Sequence, residues 1–253
     1  MAREARKRSI TGIYHIMLRG IDKRDIFLDD EDKIKFMEKL MKAKEIGKFE
    51  LYGYCLMDNH AHLLIRENED IGTSIKRITV GYVWWHNNKY GRTGHLFQNR
   101  YKSEPVDTER YLLTVLRYIH QNPVKAKVVL QARDYSWSSY KQYLIAYKQQ
   151  SRYIDTHLIK AYFKTIDDFS QYMNDQNNDQ CLDYKPVNKL TDAALEKAIR
   201  KEYSIDHLTE LPLEERNNKI RDMYHKSGAS IRQLGRVIGV GKTIIEKAIR
   251  QDR

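Results

Sequence analysis

Short apolar runs in the first part of the chain predict strands. Three of them are bounded by polar or turn-forming residues, and Asp58-Asn59 supplies turn chemistry between the last two. A fourth run follows a segment punctuated by glycines, Gly91 to Gly94. The predicted strands cover residues 13–18, 51–57, 60–65 and 96–101.

Longer segments between these runs carry apolar residues at the 3.6-residue spacing of an amphipathic helix. They cover residues 29–48, 71–89 and 108–122. Pro123 is expected to stop the last one, because proline lacks the N–H that a helix needs. Strands interleaved with helices predict an α+β sandwich, in which helices cover an antiparallel sheet.

The chain changes character after about residue 146. Residues 174–180 are polar and poor in core-forming side chains, whereas residues 191–253 are again helix-like. We therefore predict a first domain at 1–149, a linker at 150–190 and a small helical domain at 191–253.

The net positive charge of the chain favours polyanions as binding partners. Lys and Arg number 45 against 34 Asp and Glu, which gives a net charge of +11 and favours nucleic acid, although simple solubility is the alternative. Only two cysteines are present, far apart, so a disulfide scaffold or a cysteine-based zinc site is not expected. No stretch approaches the roughly 20 apolar residues of a membrane span, and we expect a cytoplasmic protein with no membrane partner.

Two histidines stand two residues apart at the start of an apolar run. In a strand, His60 and His62 would project from the same face, while Ala61 and Leu63 turn into a core. Neutral imidazoles in this arrangement can share a divalent ion. Two ordinary strand histidines are the alternative.

The helix that precedes Pro123 carries Tyr118 and Asn122 four residues apart, on one face. A phenol has a pKa of about 10 and needs a cation, a base or a metal to become a nucleophile. An amide oxygen one turn away could complete the coordination of such a metal. Spacing alone does not select Tyr118, because the chain has 18 tyrosines.

Five sequence blocks, taken in order, resemble the HUH-superfamily single-tyrosine transposases (IS200-like), and within them the branch associated with repetitive extragenic palindromes, or REPs. The resemblance covers roughly residues 8–145. The blocks are Tyr14-His15 with Arg19-Gly20, residues 57–64 (MDNHAHLL), 91–102 (GRTGHLFQNRYK), 118–124 (YIHQNPV) and 137–140 (WSSY).

This resemblance implies a ferredoxin-like α+β fold and a set of site residues. His60 and His62 would bind Mg²⁺ or Mn²⁺, and Tyr118 would be the nucleophile. The third ligand would be Asn122, with Gln121 as its competitor. Asp58 stands where such sequences often have proline, which implies a changed turn.

The implied reaction is cleavage and rejoining of single-stranded or hairpin DNA through a 5′-phosphotyrosine. The sequence also allows two alternatives. One is a domesticated DNA-binding regulator that cuts nothing. The other is a phosphodiesterase that uses water and would tolerate Tyr118→Phe. The sequence leaves open a monomer or a homodimer, and attack in cis or in trans.

A long acid-free segment is the expected DNA surface. Residues 71–103 contain no Asp or Glu but six Lys or Arg and six aromatic residues, a composition suited to phosphates and unpaired bases. Tyr82 and Trp85 are assigned to the core from their helical spacing. The candidates for DNA contact in the first domain are Arg19 and, within this segment, Arg92, His95, Arg100 and Lys102.

The C-terminal residues suggest a second DNA-binding element. Ser230 and Gln233 form a capping-box pattern, and Gly239-Val240-Gly241 separates two short amphipathic segments, as in a helix-turn-helix. From residue 218 onward there are nine basic and three acidic residues. A small helical bundle used for dimerisation or packing is the alternative. The residues expected to face the DNA groove are Lys242, Thr243, Lys247 and Arg250.

Overall fold

A computed structural model of the protein describes residues 6–183, 191–205 and 207–250, without the side chain of Arg250. The chain forms two compact units, residues 1–183 and 184–253. Each unit has its own hydrophobic core.

The first unit begins with a βαββαβ arrangement. The strand order is β2-β3-β1-β4, and all neighbouring strands are antiparallel. This is the ferredoxin-like topology, so the predicted α+β class and fold are confirmed. The elements are β1 (Ile13–Arg19), α1 (Asp30–Gly47), β2 (Glu50–Met57), β3 (His60–Arg66), α2 (Ile71–Lys89) and β4 (Lys102–Pro105).

Helices continue the first unit beyond the sheet: α3 (Glu109–Lys125), α4 (Tyr140–Ala146), α5 (His157–Lys160) and α6 (Ile166–Asn174). Helices α1 and α2 pack against each other, whereas α3 packs on β2 and β3. Gly53 of β2 permits this close approach, because a Cβ there would lie 2.6 Å from Leu116 Cδ1 of α3.

The last strand lies later in the chain than predicted. Residues 96–101 form only one isolated bridge, between Phe97 and Gly20, and the paired strand is β4. Asn99 adopts a left-handed backbone with φ of 59°. A regular strand cannot pass through that conformation, so the 96–101 prediction was wrong.

Helix α3 passes through Pro123 instead of stopping before it. A proline this close to the end of a helix removes a single backbone hydrogen bond, and the Pro123 side chain is buried. The carbonyl of Asn122 still accepts a hydrogen bond from the N–H of Ala126, at 2.9 Å. Asn122 is therefore helical, one turn beyond Tyr118.

Residues 150–183 belong to the first unit and are not part of a linker. Ile159 of α5 and Phe169 and Met173 of α6 are fully buried in the first core. The polar composition of residues 174–180 obscured these few core positions in the sequence. The remainder of the predicted linker, 184–190, lies outside the described residues.

The second unit contains α7 (Asp192–Glu202), α8 (Leu213–Ser227), α9 (Ile231–Ile238) and α10 (Lys242–Arg250). Its core is aliphatic and includes Ile220, Leu234 and Ile245, each 0% exposed. In the described part of the chain, no helix is both long and apolar enough to cross a membrane.

Candidate active site

The centre of the candidate site is the histidine pair on β3. Strand alternation turns His60 and His62 to the face that α3 covers, and Ala61 and Leu63 to the opposite, fully buried side. The two imidazole ring centroids are 5.0 Å apart. His62 is buried, and His60 keeps partial access to solvent.

Asn122 of α3 reaches both imidazoles. Its Oδ1 lies 3.1 Å from His60 Nε2, and its Nδ2 lies 3.3 Å from His62 Nε2. Gln121 points elsewhere, because its Nε2 donates to the carbonyl oxygens of Met173 and Asp175 at 2.8 and 3.0 Å. Of the two candidate third ligands, only Asn122 therefore touches the histidines.

Both imidazoles have the protonation state that metal binding requires. Burial lowers the pKa of His60, and it lowers the pKa of His62 well below the ordinary value of 6.5. Neutral imidazoles at neutral pH offer a nitrogen lone pair to a cation.

The hydrogen bonds around His60 agree with a cation site. His60 Nδ1 lies 2.6 Å from Asn59 Oδ1, which can only accept, so Nδ1 carries the proton. His60 Nε2 then presents its lone pair to Asn122 Oδ1. A divalent ion would satisfy both acceptors, since adjacent ligands of an octahedral ion lie about 3 Å apart. No cluster of three His, Cys, Asp or Glu suited to a metal occurs among the described residues.

A third histidine, for which the sequence suggests no role, supports the pair from β1. His15 Nε2 lies 2.9 Å from His62 Nδ1, and both rings are fully buried. Burial lowers the pKa of His15 to about 3, so it is neutral. A hydrogen bond at Nδ1 fixes which nitrogen of His62 is available for a metal. The only hint in the sequence was its place in the block Tyr14-His15.

Tyr118 lies beside these histidines on the inner face of α3. Its ring centroid is 5.7 Å from that of His62 and 5.9 Å from that of His15. Its hydroxyl donates to Asp183 Oδ2 at 3.3 Å. Burial, and then the negative charge of Asp183, raise the pKa of Tyr118 above 10, so the resting side chain is a neutral phenol.

Asp183 reaches the site because the segment at residues 174–183 runs along α3. Arg117 of α3 holds Asp179 through two bonds of 2.8 and 3.1 Å. Nothing in the sequence indicated Asp183, since no local pattern connects a polar segment to a helix more than 50 residues earlier.

Most residues of this site fall within a segment that matches a known protein family. Residues 9–122 match the family described as "Transposase IS200 like". These residues form an IS200-like transposase domain. The match includes the histidine pair, Tyr118 and Asn122.

Solved structures similar to the transposase domain include two transposases. One, the REP-associated tyrosine transposase bound to a REP hairpin, is 19% identical, with a TM-score of 0.49 over 56% of this chain and 84% of that chain. The other, from Deinococcus radiodurans R1, is 16% identical, with a TM-score of 0.34 over 47% of this chain and 96% of that chain. A search of curated protein sequences gave no match.

Two of the basic candidates lie on the same face of the transposase domain as the histidines. Arg19 of β1 is directly opposite His60, and Lys102 of β4 is opposite Met17, whose other partner is His62. Residues opposite each other in an antiparallel pair share a face. Burial lowers the pKa of Lys102, and the nearby charge of Arg19 adds to this effect.

The other basic candidates of the domain lie away from the histidines. His95 and Arg100 line a groove of about 640 Å³, together with Leu18 and Trp84. Leu18 is adjacent to Arg19 on β1 and so faces the other side of the sheet. Arg92 follows α2, where its N–H donates to the carbonyl of Asn87. The predicted DNA contacts therefore do not form one surface: Arg19 and Lys102 lie on the histidine face, and His95 and Arg100 lie in the groove on the other side of the sheet.

The remaining candidates belong to the second unit. Lys242, Thr243 and Lys247 are exposed on α10. The side chain of Arg250 lies outside the described part of the chain.

Proposed function

We propose that this protein cleaves and rejoins single-stranded DNA through a covalent bond between Tyr118 and a 5′-phosphate. The observation that carries the proposal is the convergence of Tyr118, His60, His62 and Asn122 on one face of the sheet. All four lie within the segment that matches the transposase family.

The chain's own residues suit this reaction. The Tyr118 hydroxyl would lose its proton to solvent, and its oxygen would form a bond to phosphorus while the bond from phosphorus to the 3′-oxygen breaks. The products are a 5′-phosphotyrosine and, once the 3′-oxygen has taken up a proton, a 3′-hydroxyl. Because the tyrosyl ester replaces a phosphodiester of similar energy, another 3′-hydroxyl can reverse the step and join a new strand. Arg19 and Lys102 would contact the phosphate backbone on the same face.

The proposed metal ligands are His60 Nε2, His62 Nε2 and Asn122 Oδ1, and the proposed ion is Mg²⁺ or Mn²⁺. Such an ion would neutralise charge on the phosphate and orient it. The neutral histidines and the amide oxygen fit this ion. His15 would hold His62 in the ligating tautomer.

The proposed substrate is a single strand that contains a hairpin, in agreement with the five sequence blocks shared with REP-associated transposases. A regulator that only binds DNA would need neither the tyrosine nor the histidine pair. The presence of all three favours the cleaving enzyme.

The test is covalent trapping on denaturing gels. Wild-type protein, Tyr118→Phe and a matched Tyr153→Phe control are incubated with Mn²⁺ and hairpin oligonucleotides from DNA flanking the gene. We expect an adduct with the wild type and with Tyr153→Phe, whose side chain is 40% exposed, and none with Tyr118→Phe. Cutting without an adduct, unchanged in Tyr118→Phe, would instead indicate hydrolysis by water.

A second comparison tests the ligand set. Asn122→Ala is expected to raise the Mn²⁺ concentration needed for half-maximal adduct formation by about tenfold or more. Gln121→Ala is the matched control, because its amide forms hydrogen bonds with the 173–177 segment. Equal effects of the two substitutions on the Mn²⁺ requirement would show that Asn122 is not a metal ligand.

A further inference from the structure

The second unit contains a tight connection between two short helices. Helix α9 ends at Ile238, and Gly239 follows with φ of 68°, a left-handed conformation suited to glycine. Val240 is 5% exposed and points into the core, and α10 begins two residues later. A turn of three residues with glycine first and an apolar residue second is typical of a helix-turn-helix.

Gly235 on α9 allows this turn to close. A Cβ at this position would lie 2.8 Å from the carbonyl oxygen of Val240. The N–H of Val240 donates to the Gly235 carbonyl at 3.1 Å. The turn therefore folds back on α9 and fixes where α10 begins.

Helix α10 has one buried face and one exposed basic face. Ile245 and Ala248 are 0% exposed in the core of the second unit. Lys242, Thr243 and Lys247 lie on the opposite, exposed side. Arg221 of α8 donates to the Ala248 carbonyl at 3.0 Å. This bond attaches α10 to α8 at the buried residue Ala248, so the basic face of α10 remains exposed.

We propose that α9 and α10 form a helix-turn-helix that binds double-stranded DNA, with α10 in the major groove. A helix about 10–12 Å wide fits a groove of about 12 Å. Binding to unpaired bases is disfavoured, because stacking requires aromatic side chains and residues 228–250 contain none. This site lies outside the segment that matches the transposase family and does not depend on strand cleavage.

The position of each basic residue suggests its contact. Lys242 and Thr243 begin α10, where recognition helices contact base edges. Lys247, one turn on, and Arg232, exposed on α9, are placed for phosphates. Arg236 is held by Asp192 of α7 through two bonds of 2.8 and 3.1 Å, whereas Lys242 meets Glu246 of its own helix at a single distance of 3.4 Å. Arg236 is therefore the more firmly held of the two and serves the structure of the unit.

The experiment measures binding of the full-length chain to a labelled 30-base-pair duplex by fluorescence anisotropy over a range of salt concentrations. The test variant is Lys242→Ala with Lys247→Ala. The control is Lys219→Ala with Lys226→Ala, which removes the same charge from α8. We expect the test variant to lose about tenfold or more in duplex affinity and about two units of the salt slope.

The control pair is expected to change duplex affinity by less than about twofold, since it alters the general field and not a contact. Equal losses for the two pairs, or no loss for the test pair, would overturn the proposal. Thermal unfolding checks that both variants fold. Adduct formation on a short single-stranded hairpin should be unchanged in both, so failure of strand cleavage remains a separate outcome.

Discussion

At the scale of single residues, the candidate site consists of hydrogen-bonded pairs of side chains, in which one partner influences where the other carries its proton. The Oδ1 atom of Asn59 keeps the proton of His60 on Nδ1, and His15 contacts Nδ1 of His62. Asp183 accepts the hydrogen bond of Tyr118. Spacing suggested the histidine pair and the family resemblance suggested the tyrosine, but neither indicated these contacts.

Substitution of His15 tests its role in positioning His62. His15→Phe would leave the Nδ1 of His62 without a partner, and we expect about 10–100-fold weaker Mn²⁺ binding, measured by isothermal titration calorimetry. His120→Phe is a matched control: burial lowers its pKa to about 3 as well, but its Nε2 contacts Ser139. If both variants lose stability but neither loses Mn²⁺ affinity, His15 is only a core residue.

The charge of Asp183 predicts a pH effect. A carboxylate next to a phenol disfavours the phenolate, which is one reason why the pKa of Tyr118 is raised. Asp183→Asn removes that charge, so the pKa of Tyr118 should fall. The rise in the rate of adduct formation with pH should then begin at lower pH, as measured by single-turnover rates between pH 7 and 10. A shift to higher pH, or none, would contradict the assigned contact.

At the scale of elements, the sequence predicted those helices and strands whose bounds are decided by local patterns. Helix α2 has the predicted bounds, and α1 and the β2–β3 hairpin differ from theirs by about one residue. Amphipathic spacing and turn chemistry decide these elements. The fourth strand and the path of the chain after residue 150 depend on pairing and packing with distant parts, which local patterns do not contain.

The position of α3 depends on a glycine in β2. Gly53→Ala would place a Cβ 2.6 Å from Leu116 Cδ1, and relieving that overlap should cost about 1–3 kcal/mol. Urea unfolding followed by tryptophan fluorescence measures the loss, because all three tryptophans lie in the first unit. The shifted helix should also slow adduct formation.

Gly81→Ala is the matched control for this substitution. Its Cβ would meet only the flexible side chain of Lys39, at 3.3 Å, in the interior of α2. The greater helix propensity of alanine should leave stability unchanged or raise it. Equal stabilities of Gly53→Ala and the wild type would show that α3 does not rest on β2 as described.

At the scale of the whole molecule, the two units have different chemistry. The first carries the candidate cleavage site, and the second carries an exposed basic helix without aromatic residues. Sequence patterns predicted a small helical domain at 191–253, and the described helices α7 to α10 lie in the second unit, 184–253. Those patterns did not show that residues 150–183 complete the first unit and bring Asp183 to the tyrosine.

The most direct test of the central claim is to map the covalent bond between protein and DNA. The adduct formed with Mn²⁺ and hairpin DNA is digested with nuclease and trypsin and analysed by mass spectrometry. Trypsin releases residues 118–125, in which Tyr118 is the only tyrosine. We predict a nucleotide 5′-phosphate on this peptide. A nucleotide on another tyrosine, or cleaved DNA with a free 5′-phosphate and unmodified protein, would contradict the account.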